Sequence, residues 1–164
     1  MSGPNPYAPP QAAVKDLPAA AGSAIKAVTF GLAADIGGTF ASTLVLMVIY
    51  GIVLGASGAS AEQIAAASEG ALTDDSWLYY TSTLIGLGFS VLGGYVCARI
   101  ARRAELKLGG IVAVLSALIG LFLAGDSYQL GTLLSLTLAS IGAVMIGARW
   151  GLAKNRGQAG STPR

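Results

Sequence analysis

LYYTSTLIGLGFSVLGGYVCARIARR, residues 78–103, is an apolar rod with a basic label at one end. From Leu78 to Ala98 it carries no charge, and Arg99, Arg102 and Arg103 then follow close together. A helix needs about 20 predominantly apolar residues to cross a hydrocarbon core of about 30 Å. The run meets that requirement. Trp77, Tyr79 and Tyr80 stand at the other end, where aromatic side chains favour the membrane–water boundary.

Working outward, three more such runs appear: Ile36 to Ala56, Leu108 to Ala124 and Leu130 to Ala148, the last followed by Trp150. At about 1.5 Å per residue, the run from Leu108 is roughly 26 Å long, so it should stand nearly upright. The composition agrees: 54% of the 164 residues are hydrophobic and 11% are charged, against about 25% charged in an ordinary soluble domain. The expected fold class is an all-α, polytopic transmembrane bundle of four helices in up-down-up-down order.

The basic residues orient it. Lys15 and Lys26 precede the first span. Arg99, Arg102, Arg103 and Lys107 lie between the second and third, and Arg149, Lys154, Arg156 and Arg164 follow the fourth. The other two connections carry only Glu62, Glu69, Asp74, Asp75 and Asp126. Lys and Arg accumulate in cytoplasmic loops, so both termini are expected in the cytoplasm. A net charge of +2, held at a membrane face, points to anionic headgroups rather than nucleic acid.

The domain plan follows. Residues 1–16, rich in Pro and Ala, read as a disordered tail; 17–151 form the transmembrane domain; 152–164 form a second disordered tail. Asp16-Leu17-Pro18 suits a helix start. Residues 17–34 have helical apolar spacing, at Leu17, Ala21, Ile25, Val28 and Leu32. They read either as an interfacial helix or as an extension of the first span, with Gly37-Gly38 suited to a bend. No early apolar run makes a signal peptide, so the first span is expected to direct insertion. Ser60-Ala-Glu-Gln63 resembles a capping box opening a short helix. Gly125-Asp126-Ser127 reads as a tight turn.

Two spans carry small residues at intervals of four: Ser82, Gly86, Ser90, Gly94 and Ala98 in the second, and Gly131, Ser135, Ala139, Ala143 and Gly147 in the fourth. Positions four apart share a helix face. In lipid, such stripes let backbones approach closely. They are read as packing faces, with a second copy of the chain or another membrane protein as the expected partner besides lipid.

Asp35 stands out as an acid beside the first span. Such residues usually face the bundle or a counter-charge. If the first two spans are antiparallel, Asp35 and Arg99 fall at matching depth, so an ion pair is expected, with Arg102 or Arg149 as substitutes. Arg99, Arg102, Arg103 and Lys107 form a basic cluster for headgroup or partner contact. No catalytic set appears. The chain has no His and one Cys, Cys97, and lacks a phosphate loop, a Ser–His pair and a metal cluster. No enzyme activity, metal or cofactor is expected.

GLAADIGGT (31–39) and GGYVCARIARR (93–103) resemble patterns in small, uncharacterised four-span proteins of the bacterial inner membrane. That resemblance implies a multi-pass inner-membrane protein of unassigned role. It marks Asp35, Gly38, Gly94 and Arg99 as positions to mutate. The expected function is a non-enzymatic structural or accessory bundle. The alternative is a small transporter or channel subunit that uses Asp35 and the glycine-lined helix faces.

Overall fold

The computed structural model describes residues 22–71, 76–124 and 128–159. Five helices and no strand occur among them: α1 (Ala24–Ala56), α2 (Ala61–Gly70), α3 (Trp77–Ala101), α4 (Glu105–Ala124) and α5 (Leu130–Ala159). All but α2 are long and apolar enough to cross a membrane. The Asp16-Leu17-Pro18 start and the Gly125-Asp126-Ser127 turn lie outside the described residues.

Where the sequence left two readings for residues 17–34, the part from Ala24 onward runs without interruption into the first span. α1 has 33 residues, or about 50 Å. Ser23 caps it by accepting from the Lys26 N–H. Gly37-Gly38 does not break it. Residues Ala33–Gly37 instead form one wide π turn inside the helix. The Thr39 hydroxyl donates to the Asp35 carbonyl at 2.7 Å beside that turn.

α3 is the hub, touching α1, α4 and α5, with its most extensive contacts on α1 and α5. The closest backbone approaches occur where glycines remove side chains. A Cβ on Gly94 would collide with the Val144 carbonyl, and one on Gly147 with the Val91 carbonyl. A Cβ on Gly151 would meet Ala98 at 2.6 Å. Ser140 sits beside Ser90, and Gly151 and Asn155 beside Ala98, so α3 and α5 run in the same direction. Gly31 lies against Cys97 and Gly38 against Phe89, so α1 runs opposite to α3.

These contacts gather at the end of the bundle that carries the basic residues. A core of Ala27, Cys97, Ala101, Val112, Ala113 and Val144 fills it. Toward the other end α1 peels away: none of its residues from Gly38 to Ala56 is buried. Leu44, Val48, Ile52 and many other large apolar side chains are exposed. In water this would be a severe liability, whereas in lipid it costs little.

α2 opens on the capping box that the sequence suggests. The Ser60 N–H donates to Gln63 Oε1 at 2.8 Å, and the Gln63 N–H to Ser60 Oγ at 3.3 Å. Its Ile64 rests on Gly51 and Gly55 of α1. The expected tail from residue 152 is instead helical as far as Ala159. Asn155 anchors this extension, its Nδ2 donating to the Ala98 carbonyl at 2.9 Å.

Candidate functional site

The wide turn of α1 carries Asp35 into the bundle, where it is 4% exposed. Gly93 of α3 makes room, since a Cβ there would lie 2.7 Å from the Asp35 Cβ. Ser90 Oγ donates to Asp35 Oδ1 at 2.8 Å, and Ser116 Oγ donates to Oδ2 at 2.5 Å. Ser140 Oγ lies 3.3 Å from Ser90 Oγ. Ser90 has one proton, already given to Asp35, so Ser140 supplies the proton of the second bond. Asp35 thereby joins α1, α3 and α4, and through Ser90 reaches α5. Among the described residues, no buried side-chain N or O lacks a partner.

The depth of Asp35 follows from α4. That helix has 20 residues, about 30 Å, which is one core thickness. Ser116 lies near its middle. A carboxyl bonded to Ser116 therefore lies near the centre of the apolar slab, not at its edge.

The Asp35–Arg99 ion pair expected from sequence does not form. Arg99 Nη1 donates to Asn155 Oδ1 at 2.8 Å and to Gln158 Oε1 at 3.0 Å. Depth is the reason. Because α1 begins before the apolar run, Asp35 is level with Ser90, and Arg99 lies about 13 Å further along α3. Arg102 and Arg149, the substitute partners, are exposed. So are Arg103 and Lys107, leaving three of the four cluster residues at the surface and Arg99 half-buried.

The stripes are divided between neighbours. On α3, Gly94 and Ala98 meet α5, Gly86 faces Thr39 of α1, and Ser90 binds Asp35. Ser82 donates to its own helix at the Tyr79 carbonyl. On α5, Ala143 and Gly147 are buried, whereas Gly131, Ser135 and Ala139 are exposed. Neither stripe therefore works as one continuous packing face.

A cavity of about 350 Å³ opens beside Asp35. It extends past Thr39, Thr43 and Ser82 to Tyr128, on the side away from the basic residues. Phe40, Leu87, Ile119, Leu123 and Leu136 supply apolar wall. Tyr79 links the mouth together, its ring 5.4 Å from Tyr80 and 6.4 Å from Tyr128. Burial, and then the neighbouring Tyr79 phenol, raise the Tyr128 hydroxyl pKa above its ordinary value, so it stays neutral at physiological pH.

Sequence reading missed Ser116. Its signal was available: it is the one hydroxyl between Leu108 and Ala124. What could not be read was that its neighbour across the bundle is an acid.

The arrangement is that of a four-span helical protein with an acid in its centre, and no group of His, Cys, Asp and Glu among the described residues could hold a metal ion. Comparison with protein-family models, curated proteins and solved structures finds no match.

Proposed function

We propose that this chain is a multi-pass protein of the bacterial inner membrane, up-down-up-down with both termini cytoplasmic, and that it acts as a small transport protein with Asp35 as its central binding group. The observation that carries this is the buried carboxyl near mid-membrane depth, bordering a cavity that leads toward one membrane face. Ionisable groups at that depth are costly and usually mark a substrate or proton pathway. The cavity volume falls in the range of about 300–1,000 Å³ typical of small-molecule sites. The basic end is closed by packed glycines and the apolar core, so access is from the other side. Positive-inside orientation makes that the non-cytoplasmic face.

A second reading, the accessory bundle, draws on one observation: both Asp35 oxygens already have serine donors. The carboxyl would then be a structural knot. Reconstitution into liposomes separates the two. Transport predicts proton-driven flux, reported by an internal pH dye, that Asp35→Asn abolishes while the protein remains monodisperse and helical. A folded Asp35→Asn protein with wild-type flux, or a wild-type protein with none, would overturn the transport reading.

A further inference from the structure

We propose that the cavity beside Asp35 binds a protonated amine with a compact apolar body; this rests on the transport reading and names its ligand. Three features of the wall select that chemistry. First, it holds one carboxyl and, among the described residues, no Lys or Arg. The counter-charge that Arg99 fails to provide is left for a guest. Second, the hydroxyl protons nearest the acid are committed. Thr39 and Ser82 donate to helix carbonyls, and Ser90 and Ser116 donate to Asp35. Each oxygen keeps lone-pair capacity, so these groups offer acceptors. A guest that brings N–H donors and positive charge matches them, whereas an anion meets an unfavourable field. Third, Phe40, Leu87, Ile119 and Leu136 line the remaining volume. An apolar body gains burial there, and an aromatic face beside an ammonium adds cation–π attraction. A bare divalent ion is poorly served by a single carboxyl.

The ammonium would sit between the Asp35 oxygens and the hydroxyls of Thr39 and Ser90, with its body toward Leu123 and Tyr128. No bond is made or broken in this step.

The test uses the full chain in phosphatidylcholine–phosphatidylglycerol nanodiscs, titrated calorimetrically with cyclohexylammonium chloride, with empty nanodiscs as background. Saturable binding is expected, weakened by about tenfold or more in Asp35→Asn through loss of the charge partner. Cyclohexanol, with the same body and no charge, should show no saturable binding. Gly120→Leu gives an independent arm. A Cβ at Gly120 meets nothing within 4 Å, and the residue lines the cavity. The added side chain should take up part of the cavity with Asp35 intact and also weaken binding. Equal binding of cyclohexanol, no saturable binding of the amine, or unchanged affinity in folded Asp35→Asn or in Gly120→Leu would each overturn the proposal. Asp35-dependent proton flux without amine binding would defeat the amine and leave transport standing. Amine binding without flux would do the reverse.

Discussion

An acid at the centre of a membrane helix costs about 2.5–3.5 kcal/mol on insertion scales, and Asp35 meets that cost with hydroxyls rather than with an ion. Among the described residues, Ser116 is the donor to Oδ2. Hydrogen bonds to charged groups contribute about 1.5–3 kcal/mol in water-soluble proteins. Within membrane proteins the measured average is nearer about 0.6 kcal/mol, with a maximum of about 1.7. Ser116→Ala should therefore lower unfolding free energy by about 1 kcal/mol in an SDS titration. Ser135→Ala should change it little, because Ser135 is exposed and donates to the Thr132 carbonyl of its own helix. Equal losses in the two variants would show that the Asp35 cluster adds nothing beyond ordinary helix side-chain bonding. Asp35 was conspicuous in the sequence. Its depth was not, because depth depends on where α1 begins, and Lys26 interrupts the apolar pattern ahead of Asp35 without ending the helix.

At the level of helices, the α3–α5 contact is set by backbone proximity. Gly94 and Gly147 sit where a methyl group would meet a carbonyl of the facing helix. Overpacking a fitted interface typically costs about 1–3 kcal/mol. Gly94→Ala and Gly147→Ala should each lower the thermal midpoint in detergent and reduce unfolding free energy by about that amount. Gly88→Ala and Gly142→Ala face open space. They should be neutral or stabilise by up to about 1 kcal/mol through helix propensity. A uniform response across all four would mean that the glycines serve propensity and not contact. Here the four-residue spacing was informative, but only about which face is small. It did not say which neighbour each turn meets. Gly86 and Ser90 turn to α1 while Gly94 and Ala98 turn to α5, because α3 is the hub and a straight stripe crosses more than one partner. The four apolar runs themselves were plain, since lipid demands uncharged length. The π turn was not, because Gly37-Gly38 suits a bend as well as a local widening.

Taken whole, the molecule is tight at its basic end and open at the other, and the orientation of that asymmetry decides what the cavity can do. Among the described residues, all Lys and Arg belong to the tight end: Lys26 at the start of α1, the cluster at the α3–α4 connection, and the last turns of α5. The connection holding α2 has none. Since each Lys or Arg in a short loop favours cytoplasmic retention while Asp and Glu contribute little, the whole set acts in one sense. Reporter fusions at Gly70 and after Arg164 test it. Alkaline phosphatase should be active only at Gly70, and a cytoplasm-dependent fluorescent protein only at the C-terminus. Replacing Arg99, Arg102, Arg103 and Lys107 together by Gln should weaken this bias and yield a mixed population, since the α3–α4 connection then loses its basic residues. If both fusion sites of the unaltered chain report one compartment, the bundle does not cross the membrane four times. The opening above Asp35 then no longer has an outside to face.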